Sequence, residues 1–525
     1  MRAFSKLTHF RVVRQREALR GIAWRSLGTA INGFLALLYP WLVIKWIGRE
    51  SYGVVSYLLN LLNYSYLLNF GLAELIGQRL AASFAGSFPR ELLTLLRSVA
   101  GLIVLNTAVI GLLWFLVGPQ TLGRALSLSP SMVLWLSQNS LWVPPAVWGI
   151  QTATLLYWIP IALKHYQLTT AFSMVFSFWQ NLFPLLWLAL AEVKTGAVAL
   201  QGTLIGQFGL GLTLHALIRQ ALNHTLWPLA PFSAWRLFPE GIWVILPHLF
   251  HALASALEGL LIARWISLDM LGLYTAVFFL YSRTNSLSGR LTETFLPFFG
   301  NVADSPLRRA MRVGQVSWIY GLGWAVASFM LWAAIPWGLS ALRISLSAPE
   351  RLLIIAAFGA SQLAFPLLPL NTYRQSQGDF RSLTLLSFCV HLAMIISQLL
   401  FLPHGLIFWS MLVGNIVAAI SHYLRAQAHY SERFLWRVWI LPSLARRLGA
   451  WAIGAGIYFY WPEPIWSSFS LLGLSVAYVG MEILDRTWPY KLGFLKGSRQ
   501  ALLGLAKTHV GRFLRPARKR PLNDR

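Results

Sequence analysis

Arginine, asparagine and tyrosine side chains recur along an otherwise apolar stretch near the start of the chain. Arg25, Asn32 and Tyr39 follow one another at intervals of seven residues, and Thr29 lies between the first two. Because a helix turns once in about 3.6 residues, this spacing places all four on one face. The guanidinium group of arginine is planar and permanently charged, with several hydrogen-bond donors. The face therefore predicts a site for an anionic group.

The next apolar stretch carries a second polar face. Asn60 and Asn63 lie on it with Ser56, and Glu74 follows eleven residues after Asn63. A charge near the centre of a bilayer costs at least about 2.5 kcal/mol on insertion scales, so we expect both faces to line a polar cavity or to meet each other. For the asparagines, hydrogen bonding between packed helices is the alternative interpretation. Arg79, at the end of this stretch, is expected at the rim of the cavity.

Two further polar faces occur later in the chain. His251 and Glu258 are seven residues apart in one apolar stretch, and Arg283 and Arg290 are seven apart in the next. At ~1.5 Å per residue, Arg283 lies about 20 Å along its helix, at a depth similar to that of Arg25. We expect Arg283 to contact the anionic group as Arg25 does, and Arg290 to lie at the rim.

The carboxylates and the imidazole on these faces have two interpretations. Glu74, Glu258 and His251 are candidates for binding a coupling proton or cation, or they only pair with arginine. His248 and His251 are three residues apart, but a metal site would need more ligands than this pair. We therefore expect no metal and no cofactor.

The composition shows what kind of elements position these residues. Hydrophobic residues make up 57% of the 525 and charged residues only 11%. Soluble proteins carry roughly 25% charged residues. The mean hydropathy is +0.58. A soluble core would not bury this much apolar surface, so the sequence predicts an all-α polytopic membrane protein with about 14 transmembrane helices. The predicted spanning segments are 20–47, 52–79, 92–118, 136–163, 168–191, 196–218, 240–263, 268–289, 313–341, 352–371, 382–403, 405–424, 447–461 and 466–483.

The basic residues are distributed asymmetrically between the two sides of these segments. Of the 43 lysines and arginines, all but seven fall on the side that carries both termini. Cytoplasmic loops are rich in Lys and Arg, so this predicts an inner (plasma) membrane protein with cytoplasmic N- and C-termini. The net charge of +26 follows mainly from topology. Anionic membrane lipids are expected partners, and nucleic acid is not.

Two short stretches of the chain are similar to each other. Lys45–Gly53 reads KWIGRESYG and Arg264–Gly272 reads RWISLDMLG, so that Trp, Ile and the last Gly occupy the same positions in both. Each stretch joins two predicted helices on the outer side. The repeat predicts two pseudo-symmetric six-helix halves that move against each other, followed by two C-terminal helices.

The halves, loops and tails define a domain organisation. The predicted parts are a basic cytoplasmic N-terminal tail (1–19), an N-terminal six-helix half (20–221), a cytoplasmic inter-half loop (222–239), a C-terminal six-helix half (240–430), a cytoplasmic loop with helices 13 and 14 (431–484) and a basic cytoplasmic C-terminal tail (485–525).

Short motifs in this order resemble a known family. They are Gly48–Gly53 (GRESYG), Asn69–Leu72 (NFGL), Glu258–Tyr274 and Gly378–Arg381 (GDFR). Together they resemble the polysaccharide (O-antigen-type) flippases of the multidrug/oligosaccharidyl-lipid/polysaccharide exporter superfamily. The resemblance covers nearly residues 20–425. It implies a transporter that moves a polyprenyl-diphosphate-linked oligosaccharide from the inner to the outer leaflet by alternating access. Glycosyltransferases and a polymerase of the same pathway would be its partners.

Residue chemistry agrees with an anionic substrate. Arginines outnumber carboxylates on the inner-leaflet faces. Arg25, Arg79, Arg283 and Arg290 are therefore predicted to contact the diphosphate or line its route, with Asn32, Asn60 and Asn63 in the cavity. Lys45 and Arg264 have two interpretations at the outer side: they receive the diphosphate there, or they are snorkelling residues at the interface.

Two other functions are alternatives. One is a multidrug/cation antiporter of the same superfamily, which would require an acidic cavity. The other is a membrane-embedded glycosyltransferase or polymerase, which would require carboxylates brought together outside the membrane. The predicted outer-side acids lie on separate hairpins, which argues against an enzyme. They are Glu50, Glu192, Asp269, Glu350 and Glu463.

Overall fold

Each predicted apolar segment contains helix. The computed structural model describes residues 38–73, 75–76, 90–162, 166–222, 238–278, 313–314, 316–318, 322, 325, 332, 346–364, 370, 373–374, 380–426, 441–460 and 464–483. Their regular structure is helical, with no strand among these residues. Five of the described helices are long and apolar enough to cross a membrane. The expected all-α, polytopic membrane architecture is confirmed.

The predicted N-terminal half, called the first half below, begins with a helical hairpin. Its helices are α1 (Leu38–Ile47), α2 (Arg49–Asn63), α3 (Arg90–Ala125), α4 (Pro130–Gln138), α5 (Val143–Ala162), α6 (Tyr166–Ser177), α7 (Phe183–Leu190) and α8 (Gly196–Leu222). A π-helical turn, Phe178–Leu182, joins α6 to α7.

The predicted C-terminal half, called the second half, begins in the same way. Its helices are α9 (Phe238–Trp265), α10 (Leu268–Phe278), α11 (Ala348–Ala364), α12 (Phe380–Phe401) and α13 (Ile407–Ala426), followed by α14 (Leu441–Tyr460) and α15 (Pro464–Ile483). The α14 helix packs on α11, and the Trp451 indole N–H donates to the Ile355 carbonyl oxygen at 3.1 Å.

Both repeated stretches form tight helix–helix connections. Gly48, at φ 81°, separates α1 from α2, and Ile266 and Ser267 separate α9 from α10. The left-handed φ at Gly48 explains why the turn needs glycine. We call the end of the bundle that contains 45–53 and 264–272 the hairpin end. The prediction of a hairpin at each repeated stretch is confirmed.

The predicted second and fourth segments contain breaks that hydropathy did not indicate. After α2, a 3-10 turn (Tyr64–Asn69) leads to Phe70 at φ 51° and Gly71 at φ 69°. Within the predicted spanning segment 136–163 the helix is interrupted, because α4 ends at Gln138 and α5 begins at Val143. Asn69 and Gly71 lie at the first break and Asn139 and Ser140 at the second. These polar or small residues are too few to divide a long apolar segment by its mean hydropathy.

The hairpin end has an apolar core made by both halves. Buried residues of α1 and α2 share one cluster with those of α9, α10 and α11, including Tyr52, Val55, Leu261 and Leu271. A second cluster of the described residues belongs to the first half and joins the chain after α2 to α3, α5, α6 and α8. The two halves are therefore packed together at the hairpin end.

Candidate functional site

The two repeated stretches touch each other backbone to backbone. Gly53 and Gly272 occupy equivalent positions of the repeat, and a Cβ added to Gly53 would stand 2.8 Å from the Gly272 amide nitrogen. A Cβ on Gly272 would collide with the Arg49 carbonyl oxygen. Only glycine permits this approach, so the contact closes the hairpin end between the halves.

An ion-pair cluster lies beside this contact. Arg49 of α2 pairs with Asp269 of α10 at 3.3 Å and with Glu350 near the start of α11. Glu350 is buried, and its other oxygen accepts a hydrogen bond from the Ser347 backbone N–H at 2.6 Å. The ion pairs therefore connect one half of the protein to two helices of the other.

This cluster corrects one sequence expectation. Asp269 and Glu350 lie on separate hairpins in the sequence, yet both reach the same nitrogen of Arg49. Both carboxylates are used in ion pairing, which is a structural role. Burial lowers the pKa of Arg49, but the charges of Glu350 and Asp269 outweigh burial, and the net effect raises the pKa above its ordinary value.

A cavity of about 300 Å³ lies below the hairpin end. It is bounded by α1, α2, α5, α8 and the α6 region of the first half and by α10 of the second. Among the described residues that line it, none carries a formal charge. The polar ones are Tyr39, Tyr52, Ser56, Asn60, Asn63, Tyr66, Thr154, Gln180, Gln207 and Thr275. The cavity is thus polar, uncharged in its described walls and rich in tyrosine.

The second polar face predicted from the sequence lies on the cavity wall. Ser56, Asn60 and Asn63 all line it. Thr275 of α10 lines it too, and it occupies the position of the repeat that is equivalent to Ser56. The cavity therefore borders on the interface where the equivalent helices of the two halves meet.

Three amide side chains of the cavity lie at one depth. A helix rises ~1.5 Å per residue, so Asn60 of α2 and Gln207 of α8 each lie about 16 Å from the start of their helix at the hairpin end. By the same rise, Gln180 lies about 15 Å from the end of α7, which is again at the hairpin end. We call these three residues the amide cluster. Their depth is about half of a ~30 Å hydrocarbon core.

The amide cluster contains two residues that the sequence did not single out as binding residues. Gln180 lies in the π turn, where the Phe183 backbone N–H bonds to the Phe178 carbonyl, five residues back. Its side-chain amide donates to Gln207 at 3.5 Å. Single π turns inside helices are frequent at functional sites. The only sequence signal was the run Trp179–Gln180–Asn181 inside an apolar segment.

Packing against α8 holds the π turn in place. The Trp179 indole N–H donates to the Thr213 hydroxyl at 3.0 Å. A Cβ added to Gly209 would stand 2.5 Å from the Trp179 ring, and one added to Gly206 would meet the Trp179 carbonyl oxygen. The small residues of α8 thus allow the turn to approach closely enough for Gln180 to reach Gln207.

The predicted proton or cation candidates have different surroundings. Glu258 of α9 is buried, with 1% of its surface exposed. His251, two turns earlier, is exposed and packs its ring edge-on against His391 of α12 at 5.3 Å between centroids. Among the described residues, no group of three or more His, Cys, Asp and Glu side chains is arranged to hold a metal ion.

The other predicted site residues lie outside the described residues. They are Arg25, Asn32, Glu74, Arg79, Arg283 and Arg290. Their roles therefore stay predictions from the sequence. The two basic residues predicted on the outer side, Lys45 on α1 and Arg264 at the end of α9, are both exposed. Neither lines the cavity in the described part of the chain.

Solved structures with the same architecture are membrane transporters. The lipid II flippase MurJ, in an inward closed conformation, superposes with a TM-score of 0.62 at 12% identity over 88% of this chain and 99% of its own. A multidrug resistance MATE family transporter of the MOP superfamily, in an inward-facing conformation, gives 0.57 at 14% identity over 77% and 96%. The MATE multidrug transporter DinF-BH, solved in a ligand complex, gives 0.61 at 17% identity over 79% and 96%.

The chain is similar to known proteins in its fold rather than in its overall sequence. No protein-family model and no curated protein sequence matches the chain. The similarity lies in the arrangement of helices, which extends over nearly the whole of each compared transporter. The chain is a multi-pass membrane protein with the fold shared by MurJ and the MATE transporters of the MOP superfamily, as its sequence motifs predicted.

Proposed function

We propose that this protein is a flippase that moves a polyprenyl-diphosphate-linked oligosaccharide from the inner to the outer leaflet for cell-surface polysaccharide biosynthesis. The observation that carries the proposal is the polar cavity at mid-depth, bordered by equivalent helices of the two halves and closed at the hairpin end by Gly53 and Gly272. Transporters built from repeats bind substrate near the bilayer midplane and move the halves around that site. Separation of the hairpins would open this cavity outward.

The predicted arginines support an anionic headgroup. Arg25 and Arg283 would contact the diphosphate, because a guanidinium forms paired, charge-assisted hydrogen bonds with phosphate oxygens. Arg79 and Arg290 would lie at the rim, and Asn32 would line the cavity on the same helix face as Arg25. The apolar polyprenyl tail would remain in the lipid. The described cavity walls add uncharged hydrogen-bonding groups for the rest of the headgroup.

The orientation and the driving force belong to the same proposal. The excess of basic residues on the side of the termini supports a plasma membrane location with cytoplasmic termini and the hairpin end outside. Glu74, Glu258 and His251 are candidates for a coupling proton or cation. Glycosyltransferases and a polymerase would supply and use the substrate, and anionic lipids would surround the basic tails.

Export of cationic drugs is the second candidate function. The likeness to MATE transporters supports this function as strongly as the likeness to MurJ supports the first. A cation site would use carboxylates, and Glu258 of α9 is a buried carboxylate. Its neighbour in the sequence, Gly259, packs closely against Tyr57 of α2 and lies near Leu271 of α10. The described residues that line the cavity include no carboxylate, which argues against a cation site in this cavity.

A transport assay separates the two. The purified protein is placed in proteoliposomes with a polyprenyl diphosphate that carries a fluorescent oligosaccharide, and an impermeant quencher reports the outer leaflet. We expect faster exchange between leaflets than in protein-free vesicles. Asn63→Leu should slow the exchange about tenfold, since the headgroup would lose one hydrogen bond to the cavity wall. Gln120→Leu, on the exposed face of α3, is the matched control. No exchange by the wild type, together with efflux of a cationic dye, would replace the first function by the second.

The arginines require their own substitutions. Arg25→Ala and Arg283→Ala should each abolish exchange of the glycan lipid at unchanged protein levels. If both variants transport as the wild type does, the assignment of the diphosphate to these arginines is wrong.

A further inference from the structure

We infer that the amide cluster and the tyrosines around it bind one uncharged sugar residue of the transported headgroup, with Gln180 and Gln207 as the residues that determine specificity for that sugar. The inference rests on the proposed function and names the part of the substrate that this cavity would recognise. It separates a neutral, sugar-binding region at mid-depth from the arginines predicted for the diphosphate.

The chemistry of the described walls matches a polyol. Sugar hydroxyls are donors and acceptors at once, and a primary amide offers two donor hydrogens and an acceptor oxygen in one plane. Asn60, Gln180 and Gln207 supply amides from three helical elements, and Thr154 of α5 adds a hydroxyl to the same cavity. A charged ligand would instead leave its charge among uncharged groups, which is unfavourable in a site with limited water.

Aromatic side chains complete the site. Tyr39, Tyr52 and Tyr66 line the cavity, together with Phe176 and Phe278. An aromatic ring has a large apolar face that suits the C–H face of a pyranose, while a tyrosine hydroxyl adds a hydrogen bond. The combination of flat apolar surfaces and neutral amides suits a sugar ring, which has hydroxyls around its edge and C–H groups on its faces.

The hydrogen bond between Gln180 and Gln207 is weak enough to be replaced by hydrogen bonds to a ligand. Gln207 is 1% exposed, and within the described part of the chain its side chain makes one hydrogen bond, to Gln180. That contact of 3.5 Å is at the long limit for a hydrogen bond, so it is weak. A buried amide with most of its hydrogen-bonding capacity unused gains more from a ligand than an exposed one does. The pair would therefore separate around a sugar hydroxyl.

The size of the cavity limits what enters it. Its volume lies at the lower end of the range for small-molecule sites, which begins at roughly 300 Å³. It accommodates a sugar residue rather than a whole oligosaccharide. The π turn sets the position of Gln180, so the sequence of this turn would determine which sugar is accepted.

Binding measurements on the purified full-length protein test the inference. Three probes are compared by isothermal titration calorimetry: a polyprenyl diphosphate that carries a neutral trisaccharide, the same lipid without sugar, and the free trisaccharide. Gln180→Met and Gln207→Met keep the side-chain length but remove the amide, and Gln120→Met on the exposed face of α3 is the control. We expect about tenfold weaker binding of both sugar-containing probes to the Gln180 and Gln207 variants. Binding of the sugar-free lipid should be unchanged.

The outcomes distinguish this inference from the proposed function. Equal losses for the sugar-free and sugar-linked lipids, or no loss for either, overturn the sugar site and leave the flippase function standing. Sugar binding that depends on Gln180, without any exchange of lipid between leaflets, supports the site and overturns the flippase function. If Gln207→Met does not fold, Gln180→Met still decides the result, because Gln180 is only partly buried.

Discussion

Gly53 and Gly272 belong to opposite halves of the sequence and are in direct backbone contact in the structure. A Cβ on Gly53 would lie 2.8 Å from the Gly272 amide nitrogen. Because the two residues occupy the same position of the repeat, their contact marks the pseudo-symmetry axis between the halves. The hairpins thus form the closed end of the cavity rather than an isolated surface feature.

The first prediction concerns this contact. In Gly272→Ala the new methyl group meets the Arg49 carbonyl oxygen and forces the hairpins apart. Overpacking of this kind should destabilise the protein by about 1–3 kcal/mol. The midpoint of thermal unfolding should fall. In a background in which Cys389 is replaced by alanine, a thiol-reactive probe should label Ser56→Cys faster in Gly272→Ala than in the protein that keeps Gly272. Gly473→Ala, which has open space around it, serves as the control. Unchanged stability of Gly272→Ala would show that the halves are not held together at this point.

The second prediction concerns the ion pairs of Arg49. Glu350 is buried and would lose its cationic partner in Arg49→Met. The free energy of unfolding of this variant should therefore be lower by about 1.5–3 kcal/mol. Arg49→Lys should recover part of this loss, since an ammonium group keeps the charge but not the forked geometry. Chemical unfolding of the single and double variants with Glu350→Gln gives the coupling free energy. A coupling near zero would mean that the pair does not stabilise the closed hairpin end.

A third prediction concerns the hydrogen bond between α2 and α9. The Tyr57 hydroxyl donates to the Ala256 carbonyl oxygen at 2.9 Å, across the two halves. Tyr57→Phe should lower the free energy of unfolding by about 1 kcal/mol, since the carbonyl loses its extra partner and the ring is kept. Because Tyr57 does not line the main cavity, the dissociation constant of the glycan lipid should be unchanged. Weaker binding by Tyr57→Phe would contradict this division between interface and site.

The fourth prediction concerns the support of the π turn. Thr213→Val removes the acceptor of the Trp179 indole N–H. The loss of this hydrogen bond should destabilise the protein by about 1 kcal/mol. The π turn should then be held less firmly, and binding of the free trisaccharide should weaken several-fold. Thr213 does not line the cavity, so this effect would act through the turn. Thr213→Ser, which keeps the hydroxyl, should retain both stability and affinity. Equal behaviour of the valine and serine variants would argue against this support.

The prediction of helices succeeded because hydropathy is a property of consecutive residues. A run of apolar side chains forms a helix in lipid, since each backbone group must bond within its own segment. The turn at Gly48 was also visible, because glycine between two apolar runs allows a left-handed backbone. The break at 139–142 was not predicted, because the polar run Ser137–Ser140 is too short to divide the long apolar segment around it.

The site was predicted in part. The spacing of Ser56, Asn60 and Asn63 indicated one helix face, and that face lines the cavity. Gln207 was not predicted, because it is six residues from Gln201, a spacing that does not place the two on one helix face. Its meaning comes from α2 and the π turn, which bring Asn60 and Gln180 to the same depth.

By itself, the sequence determined the order of the apolar segments, the two similar hairpins and the polar face of α2, since each depends on neighbouring residues along one chain segment. Only the tertiary structure determined that Arg49 joins Asp269 and Glu350, that Gly53 meets Gly272, and that the glutamines face each other. These contacts depend on the direction in which whole helices pack, and that direction follows from small residues and side-chain fit across the bundle. The spacing of residues along a single segment does not predict this fit between helices.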